Sequence, residues 1–520
     1  MHKVGQQAHT EPQGTEPQIV ETRGVKTSVV DAKIVATKVL ETQKMPKQCA
    51  QPPARGHIVK APENFIDGAL RAAISEHGVD GERRGFLRHS FLAAIAGSAA
   101  AAGHAQAQNT SASAHASQRP ASPLAGEGDP AILNLPPHST TLGQPVATHP
   151  YGQPSRFEDR LLRRESPGLT RVGAASVSFT PLQGLFGIIT PSGLHFERHH
   201  QGWHDIDPAQ HRLMLHGLVA TPKIYTMDDL MRLPPVSRMH FIECGANSAT
   251  EWGNVAVPTV QYTHGMLSCC EYTGVLLSTL LADCGIDLKR AKTILAEGAD
   301  GSGMTRTIDL ARALDDVIVA YGMNGEMLRP ENGYPLRLVV PGVQGVSWVK
   351  WLRRIKVGDQ PFNTKDETLH YIDLQPSGLH RQYTSIQECK SVITSPSGGQ
   401  RLLGPGFYSI SGLAWSGRGK IKRVDISVDG GRNWQTARLE SPVLSKCLTR
   451  FHLDWVWPAQ QQSTQGPVIL QSRAIDETGY VQPKIGQLRA VRGTRSIYHN
   501  NAIQSWQVAA NGEVSNVQPD

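Results

Sequence analysis

The sequence lacks the features of several protein classes. Its 520 residues contain no CxxCH segment and no ferredoxin-type cysteine spacing, which excludes covalent c-type haem and a ferredoxin-like cluster in this chain. No Lys/Arg run with interleaved aromatics occurs, and the formal charge of +7 is small for this length, so nucleic-acid binding is not expected. Hydrophobic residues make up 39% and charged residues 19%, which is typical of a soluble globular protein. We expect no membrane span.

Cysteine is sparse, with seven residues: Cys49, Cys244, Cys269, Cys270, Cys284, Cys389 and Cys447. Cys49 lies before a predicted cleavage site, which leaves six in the mature chain. An even number in an oxidising compartment permits disulfides but does not require them.

An export signal is the first strong positive feature. The segment "ERRGFLRHSFLAAIAGSAAAAGHAQA" carries Arg83-Arg84, then an Ala-rich apolar run, and ends in the cleavage-type sequence Ala105-Gln106-Ala107. A twin arginine before a mild apolar segment is typical of the twin-arginine route, which exports folded proteins, so we predict a periplasmic protein. The alternative is an Ala-rich surface helix. The polar residues 1–80 are interpreted as disordered, and a start codon assigned too far upstream would also account for them.

The remaining chain divides by composition. Residues 1–107 are assigned to the N-terminal extension and signal, 108–178 to a linker and N-terminal arm, and 179–384 to a region of mixed helices and strands. Predicted helices are "TMDDLMRL" and "TGVLLSTLLADCG"; predicted strands are "RLMLHGLV", "MHFIEC", "KTILAEGAD" and "PLRLVVPG". Because no regular βαβ period occurs, the fold class is predicted as α+β.

The pattern of apolar and polar residues changes from about residue 385. "KIKRVDISVDGGRNWQTARL" alternates apolar and polar residues around Asp429-Gly430-Gly431, which predicts a β-hairpin, and further short strands follow at hairpin-like spacing. We therefore predict an immunoglobulin-like β-sandwich over residues 385–505, followed by a C-terminal tail over 506–520.

Cys244 is the first candidate for chemistry. It ends a predicted strand and precedes the turn Gly245-Ala246-Asn247-Ser248. An isolated cysteine is most often a small core residue, and half of a disulfide is a second alternative. The turn allows close approach of a large ligand, so a thiolate ligand of a soft metal is the third.

Six histidines lie between His195 and His216, but their spacing fits no closed tetrahedral zinc motif. Hydrogen-bonding histidines are the plain alternative. A third interpretation makes Arg198 and His200 donors to an anionic ligand.

Two later stretches are weak signals alone. The turn Pro341–Gly345, with Lys350 nearby, can hold phosphate through backbone N–H groups, although Trp348 and Trp351 also fit a plain core. The strand before that turn is interpreted as carrying no chemistry. Tyr371, in a loop, is ordinary by itself.

Together and in this order, these stretches resemble the molybdopterin sulfite oxidase family. The sequence shows "FERHH", then "CGAN", then "YGMNGEMLRPENGYPLRLVVPG", "WVKWL" and Tyr371. The resemblance covers residues 180–505, since the family also carries a C-terminal immunoglobulin-like dimerisation domain. Within the family, "SFTPLQGLFGIITPSGLHFERHH", "HGMLSCCEYTGV" and "DETGYVQP" look like the molybdenum subunit of sulfane dehydrogenases of the thiosulfate-oxidising Sox system.

The resemblance implies a molybdenum cofactor, molybdopterin, and roles for particular residues. Cys244 would supply the thiolate to molybdenum, Arg198 would lie in the substrate pocket, and Tyr371 would lie beside the reacting centre. Further contacts to the cofactor would come from four polar side chains: His200, Asn247, Ser268 and Lys350.

The departures from the family pattern bear on the substrate. The turn has Gly245-Ala246 in the reverse of the usual order. Ser248 and Ala249 stand where sulfite-specific members carry arginines, and a further arginine near the C-terminus is replaced around Asn500. A pocket with fewer arginines suits a sulfane sulfur carried on a partner protein better than a free dianion.

The function expected from the resemblance is oxidation of carrier-bound sulfane sulfur, with electrons passed to a separate c-type cytochrome and a homodimer formed through the C-terminal domain. The alternative enzyme is a sulfite:cytochrome c oxidoreductase. A second alternative is a non-enzymatic exported protein binding copper or zinc through its histidines.

Overall fold

A computed structural model describes residues 57–58, 155–158, 161–165, 175–255, 257–382, 386–458, 468–495 and 497–519. The predicted signal, Cys49 and most of the predicted linker lie outside these ranges. None of the helices in the described ranges is long and apolar enough to cross a membrane.

The helices of the described ranges are short. The α-helices are α1 Met227–Met231, α2 Val260–His264, α3 Leu277–Asp283, α4 Leu310–Asp315, α5 Lys365–Thr368 and α6 Ile485–Arg492. The 3-10 helices are Arg156–Glu158, Leu182–Gly184, Ser192–Leu194, Ala249–Trp252, Pro330–Asn332 and Gly345–Ser347.

Strands dominate the structure. The first sixteen are β1 His57–Ile58, β2 Arg164–Glu165, β3 Val177–Phe179, β4 Glu197–Arg198, β5 Leu213–Gly217, β6 Lys223–Tyr225, β7 Val236–Glu243, β8 Leu267–Leu276, β9 Thr293–Gly298, β10 Thr305–Asp309, β11 Ile318–Met323, β12 Glu326–Met327, β13 Arg337–Val339, β14 Leu352–Gly358, β15 Ile372–Leu374 and β16 His380–Gln382. The remaining ten are β17 Lys390–Ser395, β18 Arg401–Leu402, β19 Gly406–Trp415, β20 Ile421–Ser427, β21 Gln435–Thr436, β22 Arg438–Leu439, β23 Thr449–Trp457, β24 Val468–Asp476, β25 Ser505–Val508 and β26 Val514–Val517.

Two five-stranded sheets form the first domain. One has the order β10-β9-β14-β5-β6, in which only β14 and β5 pair in parallel. The other has the order β12-β11-β8-β7, with β13 also paired to β11, and is antiparallel throughout. A small sheet, β2-β3-β4, carries Arg198 at its edge. The mixture without regular βαβ units confirms the predicted α+β class.

Local sequence explains the helix termini. Thr226 caps α1, since its Oγ1 accepts the Asp229 N–H at 3.1 Å while the Asp229 carboxylate accepts the Thr226 N–H at 2.9 Å. The predicted helix "TGVLLSTLLADCG" was wrong in its first four residues, which belong to β8. Thr273 and Val275 are β-branched and pair with Ser237 of β7 and Val319 of β11, so sheet pairing outweighs helix periodicity there.

The second domain is a sandwich of two antiparallel sheets, β17-β19-β23-β22 and β21-β20-β24-β25-β26. The predicted hairpin is present, because β20 pairs with β21 across the glycine turn. The predicted tail needs correction, since the chain from residue 505 to 517 forms β25 and the edge strand β26, and Trp506 is buried in the core.

The cores of the two domains meet at β7 and β8. Successive residues of β8 face opposite sides, as strand geometry requires, so Cys270 joins the first-domain core while Cys269 faces the sandwich. Phe241 of β7 packs on the same side, with its ring centroid 6.5 Å from that of Trp415 of β19. The strand that leads to Cys244, β7, is therefore held between both cores.

Candidate active site

A cavity in the first domain collects most of the predicted site residues. Five of them line it: Arg198, His200, Cys244, Lys350 and Tyr371. They come from β4, the end of β7, the start of β14 and the loop after α5, so the fold joins distant stretches. Asn247 and Ser268 do not line the cavity.

Cys244 follows β7 directly and is partly buried. Its N–H donates to Met266 O at 3.0 Å, and its carbonyl accepts the Asn247 N–H at 2.9 Å, which closes the turn. Burial raises the pKa of the thiol, while the Ala246 N–H and the Arg198 charge act in the opposite direction. A cation and a backbone donor thus favour the thiolate inside an otherwise desolvated site.

Gly245 lies close to the side chain of Gln344, a residue of another turn. A Cβ at this position would lie 2.4 Å from Gln344 Oε1 and 3.6 Å from Tyr498 Cδ1. A side chain at position 245 would therefore require the buried Gln344 amide to shift, which favours glycine here.

Asn247 and Ser268 support the cavity wall from behind. The Asn247 amide donates to Glu243 Oε1 at 3.0 Å and accepts the Met266 N–H at 3.2 Å. Ser268 Oγ is fully buried and accepts the Phe196 N–H at 3.1 Å. Asn247 thus orders the backbone beside Cys244, and Ser268 orders the backbone before Arg198.

Tyr371 lies between α5 and β15 with a left-handed backbone, φ +53°. Its hydroxyl is 3.3 Å from His200 Nε2, and burial, followed by the neighbouring Cys244, raises its pKa. Burial lowers the pKa of His200 to about 3, with further contributions from Arg198 and Lys350. At neutral pH the phenol is protonated and the imidazole is neutral, so Tyr371 can donate to His200.

Tyr498, in the second domain, was not identified from the sequence. Its ring stacks on that of Tyr371 at 4.9 Å, and its hydroxyl accepts the Tyr371 N–H at 3.3 Å. Stacking and hydrogen bond together hold Tyr371 in its unfavourable backbone conformation. No local signal marks Tyr498, because its role depends on a contact across 127 residues.

Arg337 was also missed, in a strand interpreted as carrying no chemistry. It is buried, donates to the carbonyls of Asn332 at 2.9 Å and Trp348 at 3.3 Å, and its Nε has no partner. A charged residue inside the apolar run "PLRLVV" was the available signal, since arginine is rarely buried without a partner.

Lys350 provides a second buried cation. It donates to neutral acceptors, His199 Nδ1 at 2.8 Å and Glu331 O at 3.1 Å, and lies 4.6 Å from the Trp351 ring centroid. Burial, reinforced by the Arg337 charge, lowers its pKa well below the usual value. An anion in the cavity would compensate the buried charges of both Arg337 and Lys350.

The histidines of the rich stretch do not converge. His199 Nε2 pairs with Glu197 at 2.8 Å, His211 bonds Leu352 O at 2.9 Å, and the His204 ring meets the edge of Trp351. In the ranges that the structure covers, no group of three His, Cys, Asp or Glu residues could hold a metal ion. The histidine stretch 195–216 thus does not form the ligand cluster that the copper or zinc alternative requires.

The two glycines of the 341–345 turn have different surroundings. A Cβ at Gly342 (φ +74°) would lie 2.4 Å from Gly417 O, so this glycine meets the second domain rather than a phosphate, whereas Gly345 lines the cavity.

All six cysteines of the described ranges are free thiols. Cys269 Sγ and Cys447 Sγ lie 3.4 Å apart.

Comparisons with known proteins identify two domains. An oxidoreductase molybdopterin binding domain matches residues 200–365, and a Mo-co oxidoreductase dimerisation domain matches residues 382–506. Mitochondrial sulfite oxidase of Mus musculus is 33% identical over 343 residues, covering 61% of this chain and 62% of that protein. NADH nitrate reductase of Solanum lycopersicum is 30% identical, covering 58% of this chain and 37% of that protein. The chain thus spans less than two thirds of these relatives' length.

A solved structure gives a fuller match. The crystal structure of the sulfane dehydrogenase SoxCD from Paracoccus pantotrophus has a chain that is 47% identical, with a TM-score of 0.73. The match covers 76% of this chain and 100% of that chain.

The matches imply the molybdenum cofactor, and the cavity fits it. Three of its lining residues hold buried polar atoms without partners, His195 Nε2, Asn332 Oδ1 and Arg337 Nε, as a ligand rich in donors and acceptors requires. The Cys244 thiol is a soft donor suited to the metal, and the two buried cations suit the anionic part of the cofactor. The chain belongs to the sulfite oxidase family of molybdopterin oxidoreductases.

Proposed function

We propose that the protein oxidises sulfane sulfur bound to a carrier protein and passes the electrons to a c-type cytochrome. The observation that carries the proposal is the distribution of charge around Cys244. Arg198 acts electrostatically on both Cys244 and Tyr371, and Arg306 lies 5.5 Å from the Tyr371 ring centroid. Uncharged Ser248 and Ala249, and the region around Asn500, stand where the family resemblance places the additional arginines of sulfite-specific members. The similarity to a chain of SoxCD, a sulfane dehydrogenase, supports the same substrate class.

The bound cofactor supplies two-electron oxidation coupled to transfer of an oxygen atom that derives from water. Cys244 would bind the metal as a thiolate, and Arg337 and Lys350 would hold the anionic end of the cofactor. In the first oxidation step a persulfide R–S–S⁻ and water give R–S–SO⁻, two electrons and two protons.

Arg198 stabilises the negative charge that moves onto oxygen as sulfur is oxidised. Its guanidinium is fixed before the reaction, because it donates to the His199 carbonyl from the edge of a small sheet. A cation held in a desolvated cavity gains more from new charge than a mobile one in water.

Tyr371 and His200 hold a proton at the phenol oxygen. Since the pKa of Tyr371 is raised and that of His200 is about 3, the proton stays on Tyr371 at neutral pH. The phenol can therefore donate a hydrogen bond to the oxygen that sulfur gains.

The electrons require a second protein, because the sequence has no haem attachment motif. We infer a separate c-type cytochrome, a homodimer through the second domain, and periplasmic location after export by the twin-arginine route. The match to a Mo-co oxidoreductase dimerisation domain supports the dimer.

The test is a steady-state comparison of two substrates on purified, molybdenum-loaded protein with cytochrome c as acceptor. A carrier bearing a cysteine persulfide should be oxidised with a kcat/KM at least tenfold above that for free sulfite. The matched carrier with its cysteine reduced should give no turnover. A higher kcat/KM for sulfite would replace this function with that of a sulfite:cytochrome c oxidoreductase.

A further inference from the structure

A buried ion pair connects the residue before Cys244 to the second domain. Glu243 Oε1 lies 2.9 Å from Lys390 Nζ, and the two side chains are 5% and 2% exposed. Glu243 Oε2 accepts the Trp415 Nε1–H at 2.9 Å, and Oε1 also accepts from the Asn247 amide. Both carboxylate oxygens are therefore satisfied, although Lys390 and Trp415 come from β17 and β19 of the sandwich.

The same ammonium reaches the far end of the Cys244 turn. Lys390 Nζ donates to Ser248 Oγ at 3.0 Å, so one cation bonds residues on both sides of Cys244. Ser248 has φ +66°, a conformation that a serine adopts only when its surroundings fix it. The turn is thus fixed by a side chain that lies far away in the sequence.

Backbone contacts follow the same pattern. Gln387 Nε2 donates to Glu243 O at 3.2 Å, the His499 N–H donates to Gly245 O at 2.8 Å, and Asn500 Nδ2 donates to Ser248 O at 3.2 Å. Each carbonyl belongs to the Cys244 segment, and each donor belongs to the second domain or the loop before it.

We propose that the Lys390–Glu243 pair is a positioning device for the Cys244 thiolate, and that the second domain is part of the active site in addition to its dimerisation role. The inference rests on the proposed role of Cys244 as the metal ligand. A buried pair whose polar atoms are all bonded holds one geometry, because removing one partner leaves the other charge without compensation. Outer residues that orient a metal ligand commonly change metal affinity or activity by about 10- to 100-fold when replaced.

A second interdomain ion pair offers a matched control. Lys446 Nζ lies 2.5 Å from Asp316 Oδ2, and the two side chains are 19% and 12% exposed. Lys446 also joins the sandwich to the first domain, but its ammonium binds Asp315 and Asp316 rather than the Cys244 turn. Lys446→Met thus removes an interdomain ion pair and leaves the turn intact.

The experiment compares holoenzyme carrying Lys390→Met with holoenzyme carrying Lys446→Met. Molybdenum per chain, the thiolate-to-molybdenum absorption band, kcat per bound molybdenum and KM are measured. Lys390→Met should shift the band and lower kcat per molybdenum by about tenfold or more, with KM within about twofold. Lys446→Met should leave the band and kcat per molybdenum unchanged. A wild-type band and kcat in Lys390→Met, or equal changes in both variants, would overturn the proposal.

A double variant covers the case in which Lys390→Met does not fold. Glu243→Gln with Lys390→Met removes both charges and leaves an amide that can still accept from Trp415. We expect a folded protein with a shifted band and reduced kcat; a double variant with wild-type band and kcat would contradict the positioning role. Metal content and absorption do not depend on which sulfur compound is oxidised, so they remain decisive if the proposed substrate is wrong.

Discussion

The hydroxyl of Tyr371 lies 3.3 Å from Nε2 of His200 inside the cavity that also contains Cys244. The phenol keeps its proton and the imidazole stays neutral, because burial shifts their pKa values in opposite directions. The pair can therefore present one proton to a bound substrate.

Replacing Tyr371 with phenylalanine should remove that proton and keep the ring. We expect kcat to fall about 100-fold while bound molybdenum stays at the wild-type level, because a positioned proton donor contributes about that much. Steady-state kinetics with metal analysis measure both quantities. Tyr408→Phe is the control, since Tyr408 is a buried tyrosine of the sandwich that hydrogen-bonds Gly404; equal loss in both variants would contradict the role of Tyr371.

Gly245→Ala should displace the Cys244 turn, because the new Cβ would meet Gln344 Oε1 at 2.4 Å. Overpacking of this kind costs about 1–3 kcal/mol, so we expect a lower unfolding midpoint and less bound molybdenum. Gly253→Ala is the matched control, since its Cβ meets no atom within 4 Å and its φ is −84°. Gln344→Ala in the Gly245→Ala background should restore much of the metal content; no recovery would place the cause elsewhere.

Arg337→Met should lower molybdenum per chain about tenfold or more, because the cofactor loses a buried cation. The cofactor-free variant should be at least as stable as cofactor-free wild type, since a buried charge without a carboxylate partner is removed. Metal analysis and thermal unfolding separate these effects. Arg353→Met, which removes an exposed arginine paired with Glu297, should keep its molybdenum; equal losses would argue against cofactor binding by Arg337.

His240 should make the protein less stable in mild acid. Burial lowers the pKa of His240 to about 4, although the hydrogen bond to Lys446 O acts in the opposite direction. In the unfolded chain a histidine has a pKa near 6.5. On acidification the unfolded chain binds the proton first, so stability present above pH 6.5 is lost as pH falls towards 4. Between pH 7 and pH 4.5 this loss amounts to roughly 2–3 kcal/mol. Denaturant unfolding at both pH values should show a smaller loss in His240→Asn; an equal loss would contradict this assignment.

The sequence predicted the elements that depend on local pattern. Alternating residues marked the sandwich hairpin, and the segment "TMDDLMRL" marked α1. Five predicted site residues line one cavity. They could be predicted because the order of short motifs along the chain matches that of a known family.

The missed residues depend on contacts between distant segments. Glu243 and Lys390 are 147 residues apart, and neither has a local neighbour that signals a buried ion pair. Tyr498 acts through Tyr371, and glycine at position 245 is favoured by the contact with Gln344, a residue of another turn. Sequence pattern gives residue types on a strand, whereas tertiary packing decides which of them meet.

The most direct test of the account concerns Cys244 as the metal ligand. Holoenzyme carrying Cys244→Ser is compared with wild type for molybdenum content, the metal–sulfur shell in X-ray absorption, and turnover. We expect one sulfur fewer around the metal and loss of turnover, because an alcohol replaces the soft thiolate donor. Full turnover with molybdenum still bound and an unchanged sulfur shell would contradict the central assignment.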